Sequence, residues 1–207
     1  TGQSGNGALL RNGGTVINES AGTISGSGLT GASGSAGVQF ETNAGTVRNL
    51  SGSTISGTVY GVRLLAGGSV TNSGGSIIQT AGNGGRNGIF GQGSTVDVQN
   101  LGTSSITGRS VGVLLSSGGS VYNEGTITGA QVASATNAGV RFTNVAASLT
   151  NKGTINGGVL MSGQAHSATL FTGSLITSNL NMSTNTAARL VLTGAGDSFS
   201  AGMDLKE

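Results

Sequence analysis

The residue types that carry acid–base, nucleophilic or metal chemistry are scarce in this chain. A single histidine, His166, and the lack of cysteine exclude a histidine-based metal cluster and a thiolate nucleophile. A Ser-His-Asp set would have to join His166, within QAHSAT, to a distant acid, and no local nucleophile motif supports one. The expectation for His166 is a surface or loop position. The acids are Glu19, Glu41, Asp97, Glu124, Asp197, Asp204 and Glu207. A glycosidase needs two carboxyls within about 10 Å of each other, so the question is how the chain folds back on itself. NGGRNGIFGQG, residues 83–93, is glycine-rich but lacks Gly-Lys-Ser/Thr and a following helix, and reads as turn glycines.

The elements that would position these residues come from a repeat. Val-x-Asn recurs at Val16/Asn18, Val47/Asn49, Val70/Asn72, Val98/Asn100 and Val121/Asn123, and Leu149/Asn151 is a further copy. An isoleucine follows each one: Ile24, Ile55, Ile77, Ile106, Ile127 and Ile155. An aliphatic residue precedes each one: Ala8, Val38, Val62, Ile89, Val113 and Val140. Each segment alternates with period two and is bounded by Gly, Ser and Asn, which is the pattern of short half-buried strands. Three such strands in a unit of about two dozen residues predict an all-β, right-handed parallel β-helix (a β-solenoid) of about 7–8 coils. A propeller blade would need four antiparallel strands and a longer period.

Spacing shows which corners are fixed. First to second anchor alternates between 8 and 9 residues, and second to third runs from 6 to 8. The step to the next coil alternates long and short, so the unit is a pair of coils. Val47 to Val98, Val98 to Leu149 and Val70 to Val121 are each 51 residues. Stacking predicts that the asparagines lie above one another in a buried amide ladder, with the aliphatic anchors filling the interior. Asn18-Glu-Ser and Asn49-Leu-Ser match the glycosylation triplet, but inward-facing asparagines make poor acceptors. On the same alignment, Asp97 and Glu124 lie about four residues and one coil apart, roughly 13–14 Å, too far to work as a pair.

Regular coils are expected over residues 7–160 and looser ones over 161–207, with candidate anchors at Val159, Leu170 and Ile176 and a strand near Leu190 and Leu192. The chain is expected to be a single β-helix segment spanning 1–207. Thr1 without a methionine or signal peptide, and the MDLKE ending, suggest a piece of a longer protein. Forty-one glycines, no proline and only 8% charged residues suit a solenoid built on turns. The net charge of +2 is spread thinly, with no basic stripe of the kind nucleic-acid binders carry. No apolar run is long enough to cross a bilayer as a helix.

Binding surfaces are the remaining place for function. Outward positions on the first strand stack are Leu9, Gln39, Arg63, Phe90, Leu114 and Arg141, and on the second Ile17, Arg48, Thr71, Gln99, Tyr122 and Thr150. The long loops at the variable corner (27–36, 80–87 and 130–138) are the better candidates, because variable loops on rigid scaffolds tend to carry function. No catalytic, cofactor-binding or metal-ligating residue is predicted, and no cofactor.

With GGSVTNSGGSI, GSVYNEGTITG and ASLTNKGTINGGVLM, the chain resembles the passenger domains of bacterial type V autotransporters, pertactin-like right-handed β-helices. The likeness covers residues 7–160 well and 160–207 loosely. It implies export through the outer membrane to the cell surface or beyond, with the translocating barrel elsewhere in the full-length chain. It also implies a non-catalytic part in adhesion, self-association or host interaction, as a virulence factor. The implied partners are a host-cell or matrix protein, a glycan or a second copy. The alternatives are a structural β-helical stalk and a polysaccharide-active lyase or tailspike-like fragment. Ice binding ranks last, because no regular Thr-x-Thr ladder recurs along the sequence.

Overall fold

The anchors stack as the repeat requires. In a computed structural model that describes residues 5–28, 35–80, 87–130 and 137–194, the strands form three parallel sheets of eight, eight and seven strands. The first coil runs through Ala8–Leu10, Gly14–Asn18 and Thr23–Gly26, one strand per sheet, and each later coil adds the next strand to the same three sheets. The result is a right-handed parallel β-solenoid, the hand that strand–crossover–parallel-strand connections take. Among the described residues every regular element is a strand.

Register follows the three anchor columns through six regular coils. Val38 pairs with Val62, Val47 with Val70 and Ile55 with Ile77, and the same columns continue to Val140, Leu149 and Ile155. From the second coil to the sixth these side chains are 0–1% exposed, so the interior is three aliphatic stacks meeting along the axis. Each fully buried Val, Leu or Ile contributes about 1.5–3 kcal/mol relative to exposure. A second inward column on the first sheet holds Phe40, Leu64, Leu115 and Phe142, all at 0% exposure. Opposite each stands a small residue that opens the next strand: Gly45, Gly68, Gly119 and Ala147. The fourth coil reverses the sizes, with Gly91 across from Val96; a Cβ on Gly91 would lie 2.7 Å from Val96 Cγ2.

The alternating 8- and 9-residue spacing has a backbone cause. In the coils that are one residue shorter, the first corner turns on a glycine pair with positive φ: Gly13-Gly14 (78°, 118°), Gly67-Gly68 (84°, 130°) and Gly118-Gly119 (80°, 122°). Only glycine takes those angles without strain. A Cβ on Gly68 would also lie 2.0 Å from the Gly45 carbonyl oxygen of the coil below.

Beyond Asn156 the coils loosen, with one difference from the expected anchors. Leu149 pairs with Ala168, so Ala168 and not Leu170 holds the second anchor of the next coil. Leu170 instead pairs with Asn151 and ends the asparagine column. Two strands of a further coil, Leu180–Asn185 and Arg189–Thr193, close the described part, and the first carries a register shift between Leu160 and Ser162 against its neighbour.

Candidate functional site

The asparagine ladder absorbs the polar residue of the Val-x-Asn repeat. Each Nδ2 donates to the next coil's Oδ1 in one direction, from Asn18 through Asn49, Asn72, Asn100 and Asn123 to Asn151, at 2.8–2.9 Å. The same Nδ2 groups reach corner carbonyls, as Asn72 does to Gly75 and Ser105 at 3.1 and 3.0 Å. Asn49 to Asn151 are fully buried, and Asn49 to Asn123 are bonded to an asparagine on both sides, so the ladder is structural and the triplet at Asn49 is closed to a glycosyl donor.

Four acids fall in the described residues. Glu19 is exposed. Glu41 accepts from Gln39 Nε2 at 3.0 Å and lies 3.6 Å from Arg11. Asp97 stands on the outer face of the second sheet and accepts from Ser120 Oγ at 2.7 Å. Because Asp97 is in register with Ser120, Glu124 lies four residues further along the neighbouring strand, a backbone separation of about 14 Å. Asp197, Asp204 and Glu207 lie outside the described residues. Among the described residues no group of three or more His, Asp or Glu side chains is placed to hold a metal ion.

The most polar contact set on the outside joins three coils of the second sheet. Lys152 Nζ donates to the Tyr122 hydroxyl at 2.7 Å, and that hydroxyl donates to Glu124 Oε1 at 2.6 Å. Lys152 also lies 5.1 Å from the ring centroids of both Tyr122 and Phe171, within cation–π range. The Tyr122 hydroxyl, then the Gly102 N–H, hold the Glu124 carboxyl below the usual glutamate range. Accepting that charge-assisted bond, the Tyr122 oxygen raises the Lys152 ammonium above the usual lysine value. Every member is satisfied by another member, so the cluster fastens neighbouring coils together.

His166 corrects an expectation. It is 1% exposed and lies inside the corner between the first and second sheets. Nδ1 accepts from the Ala147 N–H at 3.0 Å, which leaves Nε2 to donate to the Ser162 carbonyl at 3.1 Å. The Phe142 ring lies 5.7 Å away, and the His166 backbone N–H donates to Asn185 Oδ1 at 3.1 Å, so one residue links three coils. It is buried because the backbone supplies a partner for each ring nitrogen.

On the outer face of the first sheet, Gln39 takes the expected outward position but is covered by its neighbours. It is 7% exposed and receives Arg63 Nη1 at 3.5 Å. Tyr60 stacks on Phe90 at 5.5 Å, and Arg63 lies 4.9 Å from the Tyr60 centroid.

Compared with known proteins, the chain matches no family model, no curated protein and no solved structure. Function has to be argued from these surfaces alone.

The favoured loops lie largely outside the described residues, which omit 29–34, 81–86 and 131–136. The surface that sequence reasoning passes over is the third sheet's outer face. Thr23, Thr54, Ser76, Ser105, Thr126 and Thr154 stand in one register column there. Their spacing along the chain is irregular because the intervening corners differ in length. Aligning on the isoleucine between each hydroxyl pair is the signal that finds them.

Proposed function

We propose that this chain is a non-catalytic passenger segment of a bacterial type V autotransporter, carried to the cell surface or beyond, where it acts in adhesion, self-association or host interaction. The observation that supports it is the unbroken register of the regular coils. Rigid sheets present outward side chains in straight columns along the rod, a form that suits recognition of extended partners. The internal chemistry is consistent with this, because the buried asparagines and His166 are hydrogen-bonded within the fold. Export as an unfolded chain that folds coil by coil suits a sequence free of cysteine and proline.

The test is direct binding by the purified chain to host cells, matrix proteins, a panel of glycans and itself. Saturable association with any of these supports the reading. No association with any of them refutes it.

A further inference from the structure

We infer that the outer face of the third sheet is a water-ordering surface that adsorbs to ice. The face is two columns wide. The first column is Thr23, Thr54, Ser76, Ser105, Thr126 and Thr154; the second holds Ser25, Ser56, Thr107 and Thr128, with Ile78 and Asn156 as its departures. Every one of these side chains is partly or fully exposed, while the isoleucines between the columns are buried from the second coil to the sixth. No register shift interrupts the face through the six regular coils.

The chemistry of the face narrows its partner. It carries no charge and no aromatic ring, unlike the other two outer faces, which present Arg63 and Arg141, and Arg48, Asp97 and Tyr122. Protein hot spots are built on Trp, Tyr and Arg, nucleic acid requires Lys or Arg for its phosphates, and sugars stack their C–H faces on aromatic rings. None of these anchors is present here. What the face offers is a neutral rectangular lattice of hydroxyls and threonine methyls. It repeats about every 4.8 Å from coil to coil and about 6.6 Å between residues two apart on a strand. That rectangle is close to the repeat of oxygen atoms on a prism face of hexagonal ice.

The lattice is also held in place. Ser56 Oγ donates to Ser25 Oγ at 3.2 Å, Ser105 Oγ to Ser76 Oγ at 3.1 Å, and Asn156 Nδ2 to Thr128 Oγ1 at 3.3 Å. Side chains fixed before contact lose little entropy on contact, which is how many weak neutral hydrogen bonds add up on one surface. The inference does not rest on the passenger reading, since it requires only that the face meets water.

The experiment uses the purified chain and three variants that carry outward tyrosine substitutions. Thermal hysteresis and partitioning into a slowly grown ice hemisphere are measured for the wild type, for the Thr107→Tyr/Thr128→Tyr pair, for Thr126→Tyr and for Gln99→Tyr on the second sheet. Circular dichroism confirms that each variant folds. The wild type should enter ice and shape crystals, Gln99→Tyr should match it, and the third-sheet variants should lose both properties. Thr126→Tyr carries the comparison with a single change should the pair fail to fold. Exclusion of the wild type from ice overturns the inference, as does retention by the third-sheet variants or equal loss in Gln99→Tyr. Because host-cell, matrix and self-association assays are read separately, neither proposal's failure is mistaken for the other's.

Discussion

The asparagine ladder runs in one direction, and the direction has a measurable consequence. Asn72→Ala removes an acceptor for Asn49 Nδ2 and the donor to Asn100 Oδ1, both at 2.9 Å. Asn49 Nδ2 keeps the Ser53 and Ser76 carbonyls, and the Gly75 carbonyl keeps the Ser105 N–H. Asn100 Oδ1 loses the amide that donates to it, in a site with 0% exposure. Leaving that oxygen unpaired costs about 1–3 kcal/mol, and the lost Asn49–Asn72 bond adds about 1 kcal/mol, for a total of about 2–4 kcal/mol. Asn151→Ala is different because Asn151 is the last acceptor. Asn123 Nδ2 keeps Gly125 and Thr154, and no side-chain oxygen beyond is orphaned, so the cost is about 1 kcal/mol. Both variants are followed by urea unfolding with far-ultraviolet circular dichroism, since the chain has no tryptophan. Coil-resolved hydrogen exchange shows whether the loss is local, as a stack of nearest-neighbour units allows. Equal losses for the two variants would refute the directional ladder.

Three further outcomes follow from the same geometry. Gly68→Ala, at φ 130° with a Cβ 2.0 Å from Gly45 O, should lower the urea midpoint more than Gly52→Ala, at φ 74° with open space around it; the latter should cost only the left-handed backbone strain of about 1–2 kcal/mol. Tyr122→Phe removes the largest influence on Glu124, so the carboxyl midpoint read by NMR should rise toward the ordinary glutamate value. The sign is set by linkage. A lowered Glu124 stabilises above its unfolded value and loses that effect as pH falls through the folded one, while a raised Lys152 loses its effect only as pH rises through its own folded value. An unchanged Glu124 midpoint would refute the assignment to Tyr122. His166→Ala removes both ring-to-backbone bonds, and hydrogen exchange should speed up around Ala147 and Ser162 while the second to fifth coils keep their protection.

The inward columns were legible in the sequence because stacking forces identity on them. A residue facing the axis must fit directly above its neighbour, so Val47, Val70 and Val98, or Ile55, Ile77 and Ile106, repeat visibly. Gly91 and Val96 broke the pattern only because each compensates for the other across one corner, an exchange invisible without the pairing. The misplaced anchor at Leu170 has a similar origin. Ala168 is small enough to look like a turn residue, while Leu170, in the asparagine column, looks like core. The burial of His166, and the covering of Gln39 at its outward position, depend on partners brought from other coils, and a single strand's alternation carries no record of them.

Outward columns obey no such stacking rule, and that gives the third sheet its weight. The fold requires isoleucine between the hydroxyl pairs, because Ile55, Ile77, Ile106, Ile127 and Ile155 fill the axis at 0% exposure. It does not require what flanks them. Strand propensity favours threonine there, but it favours Val, Ile, Tyr and Phe as well and gives serine no preference. On the second sheet, under the same backbone constraints, one outer column runs through Ile17, Arg48, Thr71, Gln99, Tyr122 and Thr150, and the other through Thr15, Thr46, Ser69, Asp97, Ser120 and Ser148. The third sheet keeps a hydroxyl in all six regular coils of its first column, changing only between Thr and Ser. Serine by itself does not set the third sheet apart, because Ser69, Ser120 and Ser148 share an outward column on the second sheet; what does is that no charged side chain enters either of its columns, where the second-sheet column breaks at Asp97.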